Sequence, residues 1–214
     1  MFTGIIKNIG KIELVIKTRG GMSFKISTPK LIDQIYIDDS VCVNGVCLTV
    51  TKKSGNCFFC DAVGSTIDKT TLKYFKKGQN VNLELSLKIN DRLGGHIVLG
   101  HVNGFGLISN IKKVNKNYML QINIPTDFQK YLVPEGSITI DGVSLTISKV
   151  YDDNLDISII PHTWKNTTFK EAKIGDKVNI EIDILAKYIE NFSKHYNSKN
   201  TLSSIEQIHK LGFN

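Results

Sequence analysis

Asn44-Gly45-Val46-Cys47-Leu48-Thr49-Val50 recurs 97 residues later as Asp141-Gly142-Val143-Ser144-Leu145-Thr146-Ile147. Other echoes keep that offset: Thr66, Thr70 and Thr71 fall on Thr163, Thr167 and Thr168, and the stretch from Gly78 to Glu84 falls on that from Gly175 to Glu181. Nearer the start the offset is 96, pairing Gly4 with Gly100 and Gly10 with Gly106, so one residue has been inserted between. Solenoid units run to roughly 20–50 residues, so a period this long marks a duplicated domain. The chain is two similar halves plus a remainder.

Composition narrows the class. Each half, of about 90 residues, is long enough to bury a modest core. The net charge of +7 suggests a nucleic-acid footprint, but nearly all of it is lysine, with Arg19 and Arg92 the only arginines. Phosphate and base readers lean on the planar guanidinium fork, and no aromatic stacking platform accompanies the charge. The charge reads as solubility, and no nucleic-acid partner is expected. Cys42, Cys47, Cys57 and Cys60 all lie in the first half, and no basic-then-apolar leader precedes them, which suggests a reduced, cytoplasmic protein. Cys57-Phe58-Phe59-Cys60 fits the C-x-x-C pattern of metal and redox sites, but on a strand residues three apart face opposite ways. Buried structural thiols are the expectation. No apolar run approaches the roughly 18 residues that span a bilayer, so no membrane partner is expected.

Period-two alternation dominates the chain. Met22–Ile26 and Val81–Leu87 alternate, as do Tyr118–Ile124 and Val178–Ile184 in the second half, which predicts strands with one buried face. Turn signals at Arg19-Gly20-Gly21, Ser54-Gly55-Asn56, Lys77-Gly78 and Asp152-Asp153-Asn154 suit antiparallel connections. Each half is predicted to hold six short strands, with at most a short helix near Thr126 to Lys130 or its counterpart. The expected fold class is all-β: two tandem six-stranded Greek-key barrels, which leave no open sheet edge, plus a C-terminal α-helix. The expected domains are 1–96, 97–185 and a tail of 186–214. In the tail Leu185, Tyr188, Ile189 and Phe192 follow helical spacing and make one apolar stripe. Such a stripe is covered either by its own domain or by another copy of the chain.

The junction Gly94-Gly95-His96-Ile97-Val98-Leu99-Gly100-His101-Val102 is rich in glycine, yet it lacks the Gly-Lys-Ser/Thr of a phosphate cradle. His96 and His101 are five apart, on opposite faces of a strand, so no shared metal is expected and a structural role is the default for each. His101 stands out because it follows Gly100 and is expected to lie opposite the strand running from Thr139 to Thr146.

Met1-Phe2-Thr3-Gly4-Ile5-Ile6, the repeated Gly-Val-x-Leu-Thr pair, the Gly-Gly-His-x-x-x-Gly-His junction, Val178-Asn179-Ile180-Glu181 and the closing Gly212-Phe213 together resemble the riboflavin synthase family. The resemblance spans essentially the whole chain. It implies two lumazine-binding barrels and a C-terminal trimerisation helix that gathers three subunits into a homotrimer. It also implies dismutation of two molecules of 6,7-dimethyl-8-ribityllumazine, two per site, into riboflavin and 5-amino-6-(D-ribitylamino)uracil by four-carbon transfer. It further implies that no metal or organic cofactor takes part and that the reacting pair forms between the first barrel of one subunit and the second barrel of its neighbour. A lumazine synthase shell around the trimer is a partner that the resemblance leaves open.

Carried onto this sequence, the resemblance places Gly4, Ile5 and Ile6 in the first pocket with Cys47, Leu48 and Thr49 and with Asp61, Ala62, Val63, Gly64, Ser65 and Thr66. The second pocket takes Gly100, His101 and Val102, then Ser144, Leu145 and Thr146, then Ser158, Ile159, Ile160, Pro161, His162 and Thr163. The chemistry removes a proton from the acidic methyl on C7 of one lumazine and adds a nucleophile at C7 of the other. His101 with Thr146 is assigned to the methyl, Ser40 and Cys47 to the other molecule, and Ser144 or a water to the nucleophile. Two departures from the family pattern bear on binding: Glu135-Gly136 stands where a lysine is usual, and Gly64-Ser65-Thr66 replaces Pro-Glu-Thr. They keep an alternative open, a non-catalytic lumazine or flavin binder of the antenna type.

Overall fold

The structure is a computed structural model that describes residues 1–196. Two closed antiparallel barrels follow one another. The first comprises β1 (Asn8–Thr18), β2 (Gly21–Ser27), β3 (Ser40–Val43), β4 (Val46–Ser54), β5 (Cys57–Val63) and β6 (Asn80–Leu85). Its strands neighbour one another in the order β1-β2-β5-β4-β3-β6, with β6 closing onto β1. The second repeats that order with β7 (Gly104–Val114), β8 (Asn117–Asn123), β9 (Ser137–Ile140), β10 (Val143–Val150), β11 (Asn154–Ile159) and β12 (Lys177–Ile182). Even the register shifts recur: between Ile12 and Leu14 and between Ile108 and Asn110, then between Val50 and Lys52 and between Ile147 and Lys149.

Each barrel fills its interior with its own inward-facing apolar residues. Phe24, Ile26, Val41, Phe58 and Leu83 pack the first, and Leu120, Ile122, Ile138, Leu155 and Ile180 the second. The alternating strands therefore bury one face as expected. In β6 and β12 the polar positions are buried too, with Asn82 and Asn179 both 1% exposed. One-faced burial fails there because the two barrels meet along these strands.

That meeting explains why the repeated hairpin is so well kept. Asn44 and Gly45 have φ of 45° and 84°, Asp141 and Gly142 of 47° and 81°, the left-handed pair that a tight hairpin turn demands. The two turns stand back to back, so that a Cβ on Gly45 would lie 2.8 Å from the Gly142 nitrogen and the converse also holds. Around this pseudo-twofold axis Asn82 Nδ2 donates to the Asp141 carbonyl at 2.9 Å and Asn179 Nδ2 to the Asn44 carbonyl at 2.7 Å. The backbone N–H groups of Thr168 and Thr71 donate to Asn82 Oδ1 and Asn179 Oδ1 at 2.8 and 2.7 Å. Every buried polar group in this set finds its partner in the other barrel or its turn.

Short helices are more numerous than the sequence reading allowed. α1 (Gly64–Lys69) and α2 (Pro161–Asn166) follow β5 and β11, and 3₁₀ turns occupy Ile32–Gln34, Thr71–Tyr74, Thr126–Tyr131 and Thr168–Glu171. Six residues are too few for a 3.6-residue period to register, although proline at the first position of α2 is a start signal. After β12, residues 184–196 are helical. Leu185, Tyr188, Ile189 and Phe192 are 56%, 59%, 68% and 72% exposed, so the barrels leave the apolar stripe uncovered. The closing Gly212-Phe213 lies outside the described residues. No helix among the described residues is long and apolar enough to cross a membrane.

Candidate functional site

The segments that lead into β1 and β7 cross from one barrel to the other. Glu84 of β6 grips the first: Thr3 N and Oγ1 donate to its Oε1 at 2.7 and 2.6 Å, and Gly4 N donates to Oε2 at 2.9 Å. Held there, the Gly4 carbonyl accepts the backbone N–H of Ser144 on β10 at 2.8 Å. The second crossing repeats the device. Leu99 and Gly100 donate to Glu181 Oε1 and Oε2 at 2.7 and 3.0 Å, and the Gly100 carbonyl accepts the N–H of Cys47 on β4 at 2.9 Å. Burial raises the proton affinity of both glutamates, against the opposing pull of the N–H donors.

Both crossings need glycine. Gly4 and Gly100 have φ of +75° and +77°, and a Cβ there would stand 2.5 Å from the Ser144 Cβ and 2.6 Å from the Cys47 Cβ. Phe2 and Val98 exchange backbone hydrogen bonds of 2.7 and 3.1 Å, tying the two crossings to each other.

The exchange corrects the pocket grouping expected from the sequence. Ile6 packs against the second core and Val102 against the first. The first barrel's cavity, of about 320 Å³, is lined by Cys47, Ser65, Thr66, Lys69, Gly100, His101 and Val102. The second, of about 360 Å³, is lined by Ile5, Gly94, Gly95, Ser137, Ser144, Leu145, Thr146, Ser158, Ile159, Ile160 and Thr163. His101 therefore sits beside Cys47 and not against the strand holding Ser144, and within one chain it does not share a cavity with Thr146. A duplication predicts equivalent pairs but is silent on which half each crossing segment completes.

The two cavities are equivalent in position and unlike in chemistry. Cys47 answers to Ser144, Thr66 to Thr163, Gly100 to Gly4 and His101 to Ile5. In the second cavity the lining residue Ser144 gains a histidine partner from elsewhere. His96 Nδ1 lies 2.7 Å from Ser144 Oγ and its Nε2 3.1 Å from Thr139 Oγ1. Burial holds His96 below the usual histidine range, so the ring is neutral near pH 7, one nitrogen donating and the other accepting. Gly95 makes room for it, since a Cβ there would stand 2.2 Å from the Thr3 carbonyl oxygen and 2.7 Å from Ser144 Oγ. Spacing alone gives His96 a structural role, and the preceding Gly94-Gly95 is the sequence signal of a close approach. Ser137 and Lys69 are likewise lining residues that no motif announced.

The remaining candidates scatter. Ser40 pairs across β3 and β4 with Thr49, neither lining the first cavity, whereas their equivalents Ser137 and Thr146 pair in the same way and line the second. Leu48 and Ala62 are buried in the first core. Asp61 accepts from Ser23 Oγ on the surface, Val63 is exposed and Gly64 opens α1. Pro161 opens α2, and His162 faces an adjoining cleft. Glu135, at φ 65° in the turn before β9, donates its N–H to the Ile147 carbonyl at 2.8 Å and lines neither cavity. All four cysteines are free thiols; burial raises Cys60, and Cys57 lies half-buried on the same strand.

Two closed barrels, each with a small cavity of mixed polar and apolar lining, define a tandem-barrel protein. The lumazine binding domain profile matches residues 3–86 and again 99–183. Riboflavin synthase of Bacillus subtilis (strain 168) is 42% identical over 205 residues, covering 96% of this chain and 95% of that protein. Riboflavin synthase of Photobacterium leiognathi is 38% identical over 216 residues, covering 100% and 99%. Among solved structures, LumP complexed with riboflavin superimposes with a TM-score of 0.80 at 28% identity, over 85% of this chain and 99% of that one. LumP complexed with 6,7-dimethyl-8-(1'-D-ribityl) lumazine gives 0.78 at the same identity and coverage. The chain belongs to the lumazine-binding domain family, and its relatives of nearly equal length are riboflavin synthases.

Proposed function

We infer that this chain is a riboflavin synthase, a transferase that dismutates two molecules of 6,7-dimethyl-8-ribityllumazine. One molecule donates four carbons to the other, giving riboflavin and 5-amino-6-(D-ribitylamino)uracil. The observation that carries this reading is a pair of equivalent cavities with unlike polar groups. Two identical molecules can be held by related folds yet be treated differently, as donor and as acceptor. Turning their encounter into a positioned one is worth up to roughly 7–11 kcal/mol of barrier.

The roles follow the linings. In the second cavity neutral His96 accepts the Ser144 proton as Ser144 Oγ adds at C7 of the bound lumazine, with Thr146 and Ser137 on the same wall. In the first, His101 takes the C7-methyl proton, and Cys47, Ser65 and Thr66 hold the ring. The ordered segments 1–96 and 97–185 act as the two binding units. The uncovered stripe of Leu185, Tyr188, Ile189 and Phe192 joins three copies, setting the first barrel of one subunit against the second barrel of its neighbour. The free thiols fit a reducing, cytoplasmic setting.

A binder without turnover is the second reading, favoured by the likeness to LumP. Incubation of the purified protein with the lumazine separates the two: riboflavin appears for a synthase, and only saturable binding is seen for a binder.

A further inference from the structure

A cleft of about 580 Å³ adjoins the second cavity and is lined by Lys7, Lys30, His162, Lys165 and Lys170. No carboxylate lines it, and among the described residues none of its four lysines forms a salt bridge. Two elements are shared with the neighbouring cavity: Ile5 lines the cavity and Ile6 the cleft, while α2 presents Thr163 to the cavity and His162 and Lys165 to the cleft.

The duplication supplies an internal control. At the equivalent positions of the other half stand Asn103 for Lys7, Thr126 for Lys30, Ser65 for His162, Asp68 for Lys165 and Lys73 for Lys170. Four lysines and a histidine at this cleft, drawn from both halves, thus answer to one lysine and one aspartate at the pseudo-symmetric positions. Architecture alone does not require the charge, because the same fold is built without it. Nor does a neutral ribityl heterocycle require it, since such a ligand has no charge to neutralise. Like charges gathered without counter-charge repel one another, and an anion converts that cost into attraction.

We propose that this cleft binds a phosphate monoester, the compact dianion that several lysine ammonium groups can surround as point charges. The proposal rests on the reading of the second cavity as a ribityl-heterocycle site only for one of two sources. The monoester is either the phosphorylated ribityl end of a flavin seated in that cavity or a separate phosphorylated metabolite beside it.

The test is isothermal titration of the full chain at low ionic strength with riboflavin, flavin mononucleotide and ribose 5-phosphate. The first source predicts that flavin mononucleotide binds about tenfold tighter than riboflavin, an advantage that shrinks with added salt. The second predicts that ribose 5-phosphate binds without displacing riboflavin. In either case Lys165→Glu/Lys170→Glu removes the phosphate-dependent part and spares riboflavin affinity, whereas the charge-matched Lys116→Glu/Lys149→Glu, at positions that line neither the cleft nor the cavity, leaves the phosphate-dependent part in place. Equal affinities for the two flavins together with no binding of ribose 5-phosphate overturns the proposal, as does a phosphate advantage that survives Lys165→Glu/Lys170→Glu. If riboflavin itself fails to bind, the proposed function fails, and the ribose 5-phosphate arm still decides the cleft.

Discussion

The backbone N–H of Ser144 in the second barrel donates to the carbonyl of Gly4, in the segment that leads into the first barrel, at 2.8 Å. Together with its counterpart between Cys47 and Gly100, this bond makes each cavity a product of both halves. Gly4→Ala adds a Cβ at positive φ and within 2.5 Å of the Ser144 Cβ, costing on the order of 3 kcal/mol. Thermal unfolding should report that loss. Titration should show the second cavity impaired by Gly4→Ala and the first by Gly100→Ala, the reverse of a scheme in which each half completes its own pocket.

Asp141 and Asn44 occupy equivalent places at the barrel junction, each accepting a backbone N–H, from Asn179 at 2.8 Å and from Asn82 at 2.6 Å. Burial pushes Asp141 up from the ordinary carboxylate value to about 7. Its folded state therefore holds the proton more tightly than the unfolded chain. The associated stability is fully present below about pH 4, declines as pH rises and is lost above about pH 7. Asp141→Asn copies its neutral counterpart. Denaturant unfolding should show little change at pH 4 and a gain of a few kcal/mol at pH 8. A loss at pH 8 would mean that the carboxylate is needed in its charged form.

His96→Ala and Ser144→Ala should each lower kcat by about 10²-fold or more while riboflavin still binds. The double variant should be little worse than either single one, because the two groups act as a unit. Burial holds the His96 proton affinity down, so wild-type activity should persist below the usual histidine range before falling as the ring charges. Loss of that acidic limb in His96→Ala, measured as a pH–rate profile, distinguishes a base from a packing residue.

Ile189→Glu/Phe192→Glu places charge on the uncovered stripe of the terminal helix. Light scattering coupled to gel filtration should show folded monomers. Riboflavin binding should survive and turnover should be lost, as the proposed assembly draws the two cavities of a reacting pair from different copies of the chain.

Much of this molecule is legible in its sequence. Alternation along Met22–Ile26 and Val178–Ile184 gives strands, and the doubled Asn44-Gly45 and Asp141-Gly142 turns give two like barrels. What alternation hides is the partner of the polar face: Asn82 and Asn179 look solvent-facing, yet they are the hydrogen-bonding teeth of the barrel junction. The crossings were hidden for a related reason. Gly4 and Gly100 announce a close approach, but only three-dimensional placement reveals that each approaches the other half. The repeated pairs begin at Gly4 and Gly100, so the duplication does not flag His96.

The central claim is that two unlike cavities on duplicated barrels act on two copies of one substrate. Its most direct test is incubation of the purified, metal-free protein with 6,7-dimethyl-8-ribityllumazine, following both products by chromatography. One riboflavin and one 5-amino-6-(D-ribitylamino)uracil should form for every two lumazines consumed. Saturable binding of the lumazine with neither product formed would contradict the claim.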